Sequence, residues 1–192
     1  MIYPIAVYGH PVLRKIAKEI KPGHEGLNEI IENMWETMYE SDGIGLAAPQ
    51  VNKSIRLIVI DASPLEDDFP ELKDFKKVFI NPQIINYNEE YDIIAEGCLS
   101  LPTISEEVKR PTQITINYMD VHFNPITETY HGFAARVLQH EHDHLEGILF
   151  VDHISPLKKR LLKGKLTKIS KGDVDVEYKI TVPPTLNRGK RR

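Results

Sequence analysis

Residues 140–144 read His-Glu-His-Asp-His, and this run constrains the fold of the chain more than any other stretch. Residues four apart on an α-helix share a face, so His140 and His144 can close on one metal ion only if the segment is helical. Glu141 then lies beside the ion, in reach of a water molecule held there. His142 sits between the two histidines in sequence but points elsewhere by helix geometry. A solvated, charged helix face uses the same residue types, so the pattern needs further ligands before it defines a site.

Two imidazoles are too few, because a catalytic metal normally has three protein ligands and one open position. A metzincin would extend the motif to a third histidine; Gly147 falls in place, but the last position is Phe150, which cannot bind metal. Downstream, Glu146 is too close and Glu177 has no helical pattern to support it. The search therefore turns upstream, to Cys98 in Glu96-Gly97-Cys98-Leu99-Ser100, which follows an expected strand. A lone cysteine is more often a small buried hydrophobe. As a thiolate it would complete an S-N-N set with one position open to water, and no fourth ligand that would close a structural zinc site is evident. Such donors suit zinc, iron, nickel or copper. His10, His24, His122, His131 and His153 have no spacing that singles them out. The small-residue run Gly43-Ile44-Gly45-Leu46-Ala47-Ala48-Pro49-Gln50 lets backbone approach a ligand closely. Taken alone it also reads as a tight turn, with Gln50 a surface amide.

Around these motifs the pattern is that of one mixed domain. In 192 residues, 41% are apolar and 27% charged, enough for a core and too short for two ordinary domains. Leu27, Ile30, Ile31, Met34 and Met38 recur at helical spacing up to a stop at Asp42-Gly43. Ile55–Ile60 reads as a buried strand, Val78–Ile80 and Ile84–Tyr87 as strand pieces around Pro82, and Ile114–Tyr118 with Thr127–Tyr130 as a hairpin. The acidic stretch from Ala62 to Lys77 reads as a solvated excursion. Pro156 to about Ile169 reads as a second helix, with Leu157, Leu161, Leu162 and Leu166 on one side. Val174, Val176, Tyr178 and Ile180 alternate as a short strand, and the last residues as a flexible tail. The fold class expected is α+β, with small antiparallel sheets packed around a central helix that carries the H-E-x-x-H run. A catalytic domain over residues 1–170 is followed by a basic extension, 171–192.

Taken together, GIGLAAPQ (43–50), EGCLS (96–100) and QHEHDHLEG (139–147) resemble, in order and spacing, the three signature motifs of bacterial peptide deformylases, and GHPVLR (9–14) is similar to that family's opening segment. The resemblance covers about residues 1–170. It implies removal of the formyl group from N-formylmethionyl nascent peptides, with release of formate. Carried over by position, it implies Cys98, His140 and His144 as metal ligands, Glu141 as acid and base, Gln50 as side-chain oxyanion donor and Leu99 as backbone oxyanion donor. Gly45 and Gly97 match backbone positions that pair with an extended substrate. Asp42 and Arg110 fall where the family has an acid–arginine pair that braces the site. For a methionine pocket the candidates are Ile44, Phe133 and Val137, each of which plain core packing would also explain. The metal implied is one divalent ion, ferrous iron; zinc, nickel and cobalt suit the same donors. An H-E-x-x-H peptidase would instead cut internal bonds without needing a formyl group, and a non-catalytic metal-stabilised module would unfold without its ion.

Charge is unevenly spread. Residues 156–192 hold 12 Lys/Arg against three Asp/Glu, while the first 155 hold 12 against 25. An overall charge of −4 argues against a sequence-specific nucleic-acid binder. The basic end nevertheless suits the phosphate-rich ribosome surface, and the resemblance implies docking there through a C-terminal helix. A single cysteine, no apolar run of membrane-spanning length and no signal-peptide pattern lead to the expectation of a cytoplasmic protein without a membrane partner.

Overall fold

The computed structural model describes residues 1–184. In chain order its regular elements are strand β1 (Ile5–Ala6), helix α1 (Leu27–Glu40), strands β2 (Gly45–Ala47), β3 (Leu57–Asp61), β4 (Lys76–Tyr87), β5 (Tyr91–Glu96), β6 (Glu106–Pro111), β7 (Gln113–Met119) and β8 (Pro125–His131), helices α2 (Gly132–Leu145), α3 (Pro156–Leu161) and α4 (Lys163–Ser170), and strand β9 (Ile180–Thr181).

The sequence Leu-Ile-Val-Ile-Asp of β3 is buried along its whole length, as a strand covered on both faces must be. It lies inside a five-stranded antiparallel sheet of order β2-β3-β4-β7-β8. Side chains of a strand alternate between faces, and β3 follows this rule: Leu57 and Val59 pack with Met34 and Met38 of α1, while Ile58 and Ile60 pack with Ala135 and Leu138 of α2. The helix bearing the H-E-x-x-H run is therefore clamped against one face of the sheet, and α1 covers the other. The two expected strand pieces around Pro82 are one strand, β4, whose register slips between Ile80 and Gln83. Pro82 has no N–H to give the ladder, and Asn81 takes a left-handed φ of 51° there.

Strands β5 and β6 form a separate hairpin. The acidic excursion is less solvated than expected. Two 3-10 turns, Ser63–Leu65 and Pro70–Leu72, carry it, and Leu72 and Phe75 enter the core. Glu71 accepts the Phe133 N–H at 3.1 Å, taking up a donor at the start of α2 that its own N-cap residue His131 leaves free. Gly132 has φ +54°, and a Cβ there would stand 2.5 Å from Glu71 Oε1, so the close approach needs glycine.

The single helix expected over 156–169 is two, α3 and α4, meeting at Leu162. The bend changes which leucines are covered: Leu162 and Leu166 are buried, whereas Leu157 and Leu161 are 69% and 76% exposed. The expected strand over 174–180 is reduced to β9, paired in parallel with β1. Basic residues Arg188, Lys190, Arg191 and Arg192 lie outside the described residues. Among those described, no helix is long and apolar enough to cross a membrane.

Candidate active site

On α2, His140 and His144 turn toward the strand-to-turn junction that follows β5, where Cys98 sits. One ligand atom from each of Cys98, His140 and His144 lies within 4.8 Å of the others, and Cys98 Sγ is 3.3 Å from His144 Nε2. A tetrahedral zinc-like ion, with bonds of about 2.3 Å to sulfur and about 2.0 Å to nitrogen, would hold such a pair roughly 3.5 Å apart. Burial pushes the Cys98 thiol up, but the neighbouring His144 and His140 imidazoles outweigh it and bring its pKa down to about 5. The thiolate is the metal-binding form. The three residues fit a divalent ion.

His140 is oriented from behind. Its Nδ1 lies 2.8 Å from Glu96 Oε2, which leaves Nε2 free for the site. Glu96 is itself enclosed, accepting from Arg110 Nε at 2.6 Å, Arg110 Nη2 at 3.0 Å and Arg136 Nη1 at 2.9 Å. Burial raises its pKa, but hydrogen bonds from His140 and Arg110 prevail and hold the carboxyl well below the usual range. Arg110 Nη1 also donates to Asp143 at 2.7 Å, and His153 Nε2 lies 2.7 Å from the same carboxylate oxygen. This corrects the expected pairing of Asp42 with Arg110. Arg110 is buried and needs carboxylates at its own depth, which Glu96 and Asp143 supply, whereas Asp42 is exposed at the cavity rim. Glu96 and Asp143 stood inside the recognised motifs, but their partnership forms only when β5, β6 and α2 meet. Arg136 and His153 had no local signal. His142 faces away, as expected, to Arg56 at 3.3 Å and Glu146 at 3.8 Å.

Glu141 is buried, and among the described residues its Oε2 has no hydrogen-bond partner. Burial raises its pKa. The space it occupies exists because position 45 has no side chain: a Cβ on Gly45 would lie 2.7 Å from Glu141 Oε1. Gln50 is held with its amide in one sense, since Oε1 accepts the Ala47 N–H at 2.8 Å. Its Nε2 is left 3.6 Å from Cys98 Sγ and 3.4 Å from Ser100 Oγ. Far from being a surface amide, Gln50 is 1% exposed.

Above this floor opens a cavity of about 640 Å³, lined by the pocket candidates Ile44, Phe133 and Val137 as well as Gly45, Gly97 and Leu99. Phe133 is backed by Phe69 of the acidic excursion, stacked on it with ring centres 4.4 Å apart. Among the described residues a Cβ on Gly97 would meet nothing nearer than Ile104 O at 3.9 Å, which leaves that backbone open. Tyr178 also lines the cavity, which sequence reasoning missed because it placed this residue in an extension outside the catalytic domain.

Fold and site together are those of a metal-dependent hydrolase of the H-E-x-x-H class, with a cysteine beside the two histidines. Residues 2–160 match the family model described as polypeptide deformylase. A peptide deformylase of Christiangramia forsetii is 53% identical over 190 residues, covering 95% of this chain and 97% of that protein. A crystal structure of a peptide deformylase from Legionella pneumophila is similar with TM-score 0.78 and 37% identity, over 90% of this chain and 98% of that one. The class I type b peptide deformylase of Acinetobacter baumannii, solved with Met-Ala-Ser bound, gives 0.73 and 34%, over 80% and 99%. The chain belongs to the polypeptide deformylase family. It is therefore a metal-dependent hydrolase that removes formyl groups from nascent peptides.

Proposed function

We propose that Cys98, His140 and His144 hold one divalent ion, that Glu141 is the acid and base, and that Gln50 and Leu99 stabilise the oxyanion as N-formylmethionyl peptides lose formate. The observation that carries this reading is the buried Oε2 of Glu141, unpartnered among the described residues, beside the Cys-His-His cluster. An ion bound there supplies Lewis acidity, which lowers the pKa of water from about 15.7 toward about 7 and polarises the formyl oxygen.

The chain's residues do the rest. Glu141 takes the proton of the attacking water at its free carboxylate oxygen. As the C–N bond breaks, it delivers that proton to the leaving amine, so the products are formate and a free α-amine. Gln50 Nε2 and the Leu99 N–H donate to the developing oxyanion; each such donor contributes about 3–4 kcal/mol to the transition state. Ile44, Phe133 and Val137 receive the methionine side chain. β2 is the outer strand of its sheet, so an extended peptide can pair with it at Gly45 and run past Gly97. The ion we assign is ferrous iron, with zinc, nickel and cobalt compatible with the same donors. Metal analysis of protein purified without air tests that assignment, and zinc alone in fully active enzyme would overturn it. The basic C-terminal region docks on the ribosome in the cytoplasm, where the substrate emerges.

The test is formate release from formyl-Met-Ala-Ser. Glu141→Ala is expected to retain the metal, since the residue is no ligand, and to lose at least about 10²-fold in rate. Wild-type turnover in that variant, or cleavage of internal peptide bonds at the same rate as deformylation, would overturn the reading.

A further inference from the structure

The chain beyond α4 returns to the active site, although the family match ends at residue 160. Val174 and Ile180 pack on the core cluster that contains Val7, Leu101 and Ile104. The Ile5 N–H donates to Lys179 O at 2.8 Å and the Val7 N–H to Thr181 O at 3.1 Å. This pairing brings Tyr178 over the turn that carries Cys98, and its hydroxyl donates to Leu99 O at 2.8 Å. The same turn is closed internally by the Leu101 N–H on Cys98 O at 2.9 Å, and Tyr8 N–H holds Ser100 O at 2.8 Å. Three successive carbonyls after Glu96-Gly97 are thus each tied by a different donor. Burial and the nearby Cys98 push the Tyr178 hydroxyl up to about 12, so it remains a donor at neutral pH.

We propose that Tyr178 is a positioning residue for deformylation: by holding the Leu99 carbonyl it fixes the Cys98–Leu99–Ser100 backbone, which makes the C-terminal segment part of the catalytic unit. This rests on the reading of the Leu99 N–H as an oxyanion donor. The Leu99 carbonyl stands at a cavity wall, and a peptide released there can rotate toward water. Misplacing a catalytic group by an ångström costs up to about 10²-fold in rate. The β1–β9 pairing holds the segment by backbone bonds, so removing one hydroxyl leaves the fold in place.

The experiment compares metal-loaded full-length protein with Tyr178→Phe, Glu141→Gln, a chain ending at Pro184 and a chain ending at Ser170, using formyl-Met-Ala-Ser. Tyr178→Phe is expected to lower kcat about ten-fold with KM within about two-fold, since the bond acts on the transition state and not on ground-state binding. Its metal content and thermal midpoint should match wild type. The chain ending at Pro184 should keep full kcat, and the one ending at Ser170 should lose at least as much as Tyr178→Phe. Glu141→Gln separates the two levels: if it stays fully active, the underlying mechanism fails. If it is inactive while Tyr178→Phe has wild-type kcat, the proposal for Tyr178 fails alone. A loss confined to KM, or one matched by a fall in metal content or thermal midpoint, overturns it as well. Should the chain ending at Ser170 fail to fold, Tyr178→Phe decides.

Discussion

At Gly45 a single absent side chain makes room for the carboxylate of Glu141. Gly45→Ala would place a methyl group 2.7 Å from Glu141 Oε1, and Glu141, being buried, has little freedom to retreat. We expect this variant to bind its metal normally and to lose at least about 10²-fold in kcat, through displacement of the acid–base group. Metal analysis alongside formate release checks it, and wild-type kcat would show that Glu141 tolerates the shift. At this scale the sequence was most readable where chemistry depends on local spacing. His140, Glu141 and His144 declare themselves because helix geometry alone sets their relation. Cys98 becomes legible only with the neighbouring motifs. The partner of Arg110 was misassigned because a buried guanidinium is matched by carboxylates at equal depth, and depth is a property of the assembled strands. Gln50 was readable only through the family pattern; its burial depends on the 3-10 turn Ala48–Val51 packing inward.

Among the elements, long periodic segments were predictable and charged or short ones were not. α1 and the β7–β8 hairpin lie where their apolar periods put them. β6, with the sequence Glu-Glu-Val-Lys-Arg-Pro, shows no strand pattern, because Arg110 is buried by ion pairing and only Val108 follows the apolar rule. The acidic character of residues 62–77 predicts a solvated excursion, yet one of those acids caps α2. Glu71→Ala should cost about 1 kcal/mol, the usual value of a lost helix cap, measured as a lower urea midpoint; an unchanged midpoint would mean that water replaces the carboxylate without penalty. A second tie joins the turn at Pro11–Arg14 to the turn at Phe150–Asp152. Asp152 bonds Arg14, Lys159 at 2.5 Å and the Leu149 N–H at 2.9 Å. Burial opposes these bonds, but they win and lower its pKa to about 2, against about 3.9 in an unfolded chain. A depressed carboxylate stabilises the fold above the unfolded pKa and loses that contribution as pH falls through the folded one. The stability gap between wild type and Asp152→Asn should therefore be constant above about pH 5 and shrink toward pH 2. A gap independent of pH would show that packing and not charge joins the turns.

For the whole molecule, charge is segregated along the chain, with the basic excess confined to residues 156–192. If this region docks on ribosomal phosphates, affinity should fall with salt, each neutralised phosphate adding about −0.7 to −0.9 to the slope of log affinity against log salt. The chain ending at Pro184 lacks four of those basic residues. It should show a shallower slope in sedimentation with ribosomes while hydrolysing free formyl-peptides at the full rate. Equal sedimentation of both chains at low salt would remove residues 185–192 from the contact. Sequence reading placed the basic end outside the working enzyme, since nothing local in Val174–Thr181 points back to Cys98. Only the pairing of the first strand with the last reveals it.

That pairing also sets an order in time. β1 is made well before β9, and among the described residues each is the other's strand partner. Contacts of such sequence separation form late, because nearly the whole chain must be confined before they bring any gain. A newly made copy of this protein can build its sheet and seat α2 early, yet the wall formed by Tyr178 arrives only once β9 has been made and has found β1. β1 and β9 thus act as a latch, and the active site lacks that wall until the latch has closed.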